Sequence, residues 1–110
     1  MRNKMNPLEK HVHYINLFDF YENALTSKQK LYFKEYYFED LSLAEIAKNH
    51  QISRSAVYDQ IQKIHAILDG FEEKFELYLK FEKRNKIFEE YADVDNPETQ
   101  QLIEKLKKIE

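Results

Sequence analysis

Arg54, Ser55, Tyr58 and Gln62 follow one another at separations of one, three and four residues, the spacing that gathers side chains along one side of a helix. These types recognise nucleic acid rather than make or break bonds. A guanidinium pairs with phosphate oxygens, while hydroxyl and amide groups exchange hydrogen bonds with base edges. Arg54 is therefore a candidate phosphate ligand, and Ser55, Tyr58 and Gln62 are candidates for base contacts. Lys28, Lys30 and Lys34, upstream, are further candidates for phosphates. Asp59 lies in the same run and opposes a polyanion, so few phosphate contacts and a shallow salt dependence are expected.

The remaining reactive residue types offer no catalytic constellation. His11 and His13 are two apart, which sends them to different helix faces and argues against a metal site. His50 and His65 read as solvated residues. The single glycine and the lack of any Gly-x-Ser-x-Gly run leave no phosphate-cradling loop and no nucleophile elbow. Glu72, Glu73 and Glu76, interspersed with lysines, read as a solvated helix face. Lys80, Lys83 and Arg84 share one face; they can grip phosphates, or pair with Glu76 and Glu90 along their own helix. No enzyme, metal or cofactor is expected.

These residues need a helical scaffold, and composition points to one. The chain has 110 residues, one Gly, two Pro and no Cys, room for a single domain and too few turn residues for a β-sandwich or barrel. An all-α bundle over 1–110 is expected. Tyr14, Leu17, Phe18, Tyr21 and Leu25 form the stripe of a first helix over Leu8 to Leu25. Thr26 with Gln29, and Ser42 with Glu45, have the spacing of capping boxes and start helices two and three. Helix two, with apolar members from Leu31 to Phe38 and an end near Glu39-Asp40, is aromatic enough to cross the core, and helix three is short, from Leu43 to about Asn49. Ser53 caps a helix whose apolar positions Val57, Ile61, Ile64, Leu68, Phe71, Phe75 and Tyr78 alternate gaps of four and three, a seven-residue repeat. That face suits either a second copy of the chain, giving a homodimer, or burial within one chain. Gly70 marks a possible break. Asn96-Pro97 starts a last helix.

Helix three and the helix after Ser53, joined by a short turn, have the form of a helix-turn-helix over about 42–69, followed by a C-terminal helical extension over about 71–110. Ala47 is the small residue where the two helices meet, and Ile46, Ile52, Val57 and Ile61 close the angle. The runs Leu25 to Gln29, Leu41 to Ala47 and Ile52 to Asp59 resemble region four of bacterial sigma factors. With Phe18-Asp19-Phe20-Tyr21 ahead and Gly70-Phe71-Glu72-Glu73-Lys74 behind, the chain is similar to the YlxM family of small bacterial helix-turn-helix proteins. The likeness covers about residues 12 to 92.

That resemblance implies an all-helical cytoplasmic regulator associated with the signal recognition particle, whose RNA or GTPase is the implied partner. A DNA-binding transcriptional regulator is the second reading, and a purely structural adaptor the third. The formal net charge of −3 weighs against strong autonomous binding to DNA. No run of apolar residues is long enough for a bilayer span, and the charged first ten residues lack a signal-peptide core. The chain departs from the family pattern at the turn. His50 and Gln51 stand where a hydrophobic residue and glycine are usual, so either Asn49 takes the positive φ or the turn is reshaped.

Overall fold

The structure, a computed structural model, describes residues 5–110. Among these it has six α-helices and no strand: α1 Pro7–Tyr21, α2 Ser27–Tyr37, α3 Leu43–His50, α4 Arg54–Phe75, α5 Leu77–Glu90 and α6 Pro97–Ile109, with a 3₁₀ turn at Glu22–Ala24. The chain is all-α, as its composition requires. It divides into two compact units, one ending at Glu76 and the other Leu77–Glu110.

The first unit is built on local start signals. Asn6 accepts from the Glu9 N–H at 2.8 Å, with Pro7 at the first helical position. Thr26 and Gln29, then Ser42 and Glu45, form reciprocal capping boxes with both bonds at 3.0–3.1 Å. Ser53 accepts from the Ala56 N–H at 3.1 Å. α1 stops at Tyr21 rather than Leu25. Thr26 must be extended (φ −68°, ψ 162°) to cap α2, so the chain tightens into the 3₁₀ turn and leaves the helix before Leu25, which is still buried.

α4 is the axis against which α1, α2 and α3 all pack. Val57, Ile61, Ile64 and Leu68 are buried, with Leu17, Phe33 and Ile46 facing the same core. Phe18 and Phe33 stack at 4.2 Å between centroids, 3° from parallel, and Phe33 stacks on Tyr37 at 4.4 Å. Leu31 and Phe38 remain exposed, so α2 gives only part of its aromatic run to the core. Two phenols tie α1 to α4: the Tyr14 hydroxyl donates to Asp69 at 2.7 Å and the Tyr21 hydroxyl to Glu72 at 2.6 Å.

Of the two readings of the Val57–Tyr78 repeat, homodimer or burial within one chain, this packing favours burial for its first part. The first four positions of the repeat lie inside their own unit, where a second copy cannot reach them. Nor is the face continuous: Glu76 is left-handed (φ 54°, ψ 34°) and ends α4, so Tyr78 belongs to α5. Gly70, where the sequence allowed a break, sits within α4, which runs through it unbroken.

In the second unit Asn96 accepts from the N–H groups of Glu98 and Thr99 and starts α6. The Gln100 amide donates to the carbonyls of Ala92 and Val94, both at 3.0 Å, and holds the connection before α6. Phe88 is the buried residue of this unit, with the Lys107 ammonium 5.5 Å from its ring. Arg84 pairs with Glu110, neither with a helical neighbour nor as a free cation, because α6 brings a carboxylate to it. No helix of the described residues is long and apolar enough to cross a membrane.

Candidate nucleic-acid interface

The junction of α3 and α4 sets where α4 starts and which side of it faces out. Ile46, Ala47, Val57 and Ile61 are buried at the junction. Ile52, assigned the same job, is half-exposed, because the turn carries it outward. Gln51 itself is left-handed, with φ 55° and ψ 42°, and this corrects the expectation that either Asn49 would take that conformation or the turn would be reshaped. Its N–H donates to the Lys48 carbonyl at 3.4 Å and the Ile52 N–H to the Ala47 carbonyl at 3.1 Å, the paired bonds of a Schellman motif. Two backbone bonds offset the strain of a residue with a Cβ at positive φ.

A side-chain clamp behind the turn adds to this. The His50 Nε2–H donates to the Glu35 carboxylate at 2.6 Å, and its imidazole lies edge-on to Tyr32 at 4.8 Å. His50 is thus only about 10 % exposed, which corrects its reading as a solvated turn residue. His65 is corrected likewise. It is 6 % exposed, stacked on Tyr14 at 3.8 Å and 8°, and its Nε2 accepts the Tyr37 hydroxyl at 2.5 Å. Burial is the main cause that lowers its pKa to about 4; Lys10 adds to this, Asp69 opposes it and His13 adds again. Burial also raises the Tyr37 phenol well above the ordinary range, helped by Tyr36, Tyr14 and Asp69. The imidazole is therefore the neutral acceptor and the phenol the donor.

Arg54, Ser55, Tyr58 and Gln62 are all exposed on α4, the first two in its opening turn. Among the described residues Arg54 makes no ion pair. The Ser55 hydroxyl lies 3.2 Å from that of Ser53. Asp59 is exposed beside them, one helical turn before the exposed Lys63. The three lysines of α2 do not act together. Lys28 shares a helix face, by spacings of four and three, with Tyr32 and Glu35, both of which touch His50. Its ammonium is 5.8 Å from the Tyr32 ring. Lys30 and Lys34 lie on another face and, by position, point away from the turn.

Two exposed cations, Lys48 in the last turn of α3 and Lys63 further along α4, stand outside the set drawn from the sequence. Lys63 was legible in principle, since it follows Gln62 on the predicted recognition helix. Lys48 was hidden by the shortness of α3. Among the described residues no group of three or more His, Cys, Asp or Glu side chains gathers as metal ligands would.

Comparison with known proteins agrees with this geometry. A family model described as "Putative helix-turn-helix protein, YlxM / p13 like" matches residues 8–109. The chain is 47 % identical to a UPF0122 protein of Bacillus licheniformis, over 94 % of this chain and 98 % of that one. It is 43 % identical to the UPF0122 protein YlxM of Bacillus subtilis, with the same coverage of both. A UPF0122 protein of Oceanobacillus iheyensis is 45 % identical over 86 % of this chain and 90 % of its own. With capped α3, the Schellman turn at Gln51 and the polar opening of α4 in place, the chain belongs to the UPF0122 family of YlxM/p13-like helix-turn-helix proteins.

Proposed function

We propose that the protein is a non-enzymatic accessory factor that binds nucleic acid through the first three turns of α4, and that its setting is the signal recognition particle pathway, on the particle's RNA, its GTPase or both. The observation that carries nucleic-acid binding is Arg54: an exposed guanidinium in the first turn of α4, without an ion-pair partner among the described residues, beside exposed Ser55, Tyr58 and Gln62. The helix N-terminus favours a phosphate at the same place. Lys48, Lys63 and Lys28 are the further phosphate candidates by position. The signal recognition particle enters through the family resemblance.

DNA is the second reading, because an α-helix with polar residues at its opening can lie in the major groove of B-DNA. On A-form RNA the major groove is too deep and narrow for side chains to read. The same face would then work on phosphates and unpaired bases.

The test is fluorescence anisotropy with signal recognition particle RNA, with its GTPase and with random duplex DNA, each at two salt concentrations. Arg54→Ala is expected to weaken binding to every nucleic acid and to reduce the salt slope by about one. Unchanged affinity and slope with an intact helical spectrum would remove Arg54 from the interface. Preference for random duplex over the RNA and the GTPase would select the DNA reading.

A further inference from the structure

On the flank of α4 lies an open pocket of about 310 Å³ that takes in residues from four helices. Tyr58 and Gln62 come from α4, Lys10 and His11 from α1, and Tyr36 from α2. We infer that this pocket receives a single unpaired nucleobase, with Tyr58, Tyr36 and His11 as stacking surfaces, Gln62 as the hydrogen-bonding edge and Lys10 as the contact for the attached phosphate. The inference rests on the nucleic-acid reading above and extends it from the helix face to a defined subsite.

Four observations carry it. The volume is at the low end of the ~300–1,000 Å³ that small-ligand sites span, the scale of a base with its sugar rather than of a peptide segment. The lining combines rings, an amide and one cation and contains no carboxylate, a composition that accepts a planar, hydrogen-bonding group carrying negative charge. The floor is already fixed: Tyr37 donates to His65 at 2.5 Å, His65 stacks on Tyr14, and Tyr36 and His11 each lie 5.0 Å from the Tyr37 ring. Finally, Tyr58 is 50 % exposed on the helix that would meet the nucleic acid, so a base turned out of its stack needs no separate route.

The same chemistry could be presented by an RNA loop, a DNA loop or a free nucleotide, and the experiment has an arm for each. The full chain is titrated with an RNA hairpin carrying one 2-aminopurine in its loop, with the DNA hairpin of the same sequence, with a fully paired duplex and with adenosine monophosphate alone. Anisotropy reports binding, and 2-aminopurine fluorescence reports stacking of that base. The expected result is quenching on binding to a hairpin. His11→Ala and Tyr36→Leu, both outside the helix-turn-helix, should each weaken the hairpin complex roughly 5- to 150-fold, the range for loss of one base-aromatic stack, and leave duplex affinity unchanged. Quenching only by the RNA or only by the DNA identifies the source. Hairpin binding without quenching, or with both variants at full affinity, overturns the pocket and leaves the helix-face reading standing. If no nucleic acid binds, saturable adenosine monophosphate binding that His11→Ala abolishes keeps the pocket and removes that reading. Loss of that signal too overturns both.

Discussion

Lowering the pH tests the neutral, buried state of His65 directly. Its pKa is depressed from 6.5 to about 4 in the folded chain, chiefly by burial. Between these two values the unfolded chain holds a proton on the imidazole that the folded chain does not. Unfolding therefore takes up a proton, and stability falls as the pH drops below 6.5 and levels off under about 4. The whole shift is worth about 3 kcal/mol, of which about 2 kcal/mol is lost between pH 7 and pH 5. That is a large part of the 5–15 kcal/mol over which small domains are stable. Protonation also sets an N–H against the Tyr37 hydroxyl, which donates to Nε2 at 2.5 Å, so the phenol must turn its proton away. The assay is urea unfolding followed by helical circular dichroism at both pH values, for the parent chain and for His65→Gln, which keeps an acceptor for Tyr37 and does not titrate. The parent should lose about 2 kcal/mol more than the variant. Equal losses would mean that His65 takes up its proton in the folded state and that the stack on Tyr14 does not exclude water.

Gly70→Ala should stabilise the chain by about 0.5–1 kcal/mol, since a Cβ there meets nothing within 4 Å; an unchanged urea midpoint would mean that the α4 backbone is not helical at that position. Gln51→Gly should also stabilise, by up to about 1 kcal/mol, raising Tm by a few degrees; a lower Tm would show that the left-handed turn is not strained. Ser42→Ala should cost about 1 kcal/mol by removing the cap of α3, read from the shift in urea midpoint. Arg54→Ala should reduce nucleic-acid affinity with no change in either midpoint, checked by anisotropy and urea unfolding on the same preparation.

The starts of α2, α3, α4 and α6 were legible and the end of α3 was read to within one residue, but the ends of α1 and α4 and the start of α5 were not, for a physical reason. A start is written in chemistry three residues long: Thr26 with Gln29, Ser42 with Glu45, Ser53 before an apolar repeat. An end is usually marked by glycine in the left-handed region, and here Asp40, Gln51 and Glu76 take positive φ without one, while Gly70 lies mid-helix. At Gln51 the strain is tolerated because two backbone bonds and the His50–Glu35 contact hold the turn. Only the second of these needs α2 in place, and it joins residues fifteen apart in sequence. His65 was misread for a related reason. Helical spacing gives a side chain's angle but not how far around α4 its neighbours reach, and α1 and α2 together cover more of that circle than the narrow repeat predicts. The exposed polar opening of α4 could be read from Arg54, Ser55, Tyr58 and Gln62. The pocket beside it could not, because it needs residues as distant as Lys10 and Gln62.

The charge on this face limits what it can do alone. With one phosphate for each proposed cation, Arg54, Lys48, Lys63 and Lys28, there would be about four contacts, a salt slope of about −3.6, and a loss of roughly 150-fold in affinity between about 50 and 200 mM salt. Proteins that hold duplex DNA by electrostatics make 6–10 such contacts and lose ~10³–10⁵-fold over the same interval. With a net charge of −3 on the chain as a whole, long-range attraction adds little. Specific binding by this protein therefore has to draw on terms that salt does not screen. A stacked base beside Tyr58, or a protein partner that brings the nucleic acid to α4, would each supply one. The two are separable by salt titration: a stacked base leaves a residual affinity at high salt that His11→Ala removes, whereas a protein partner leaves one that it does not.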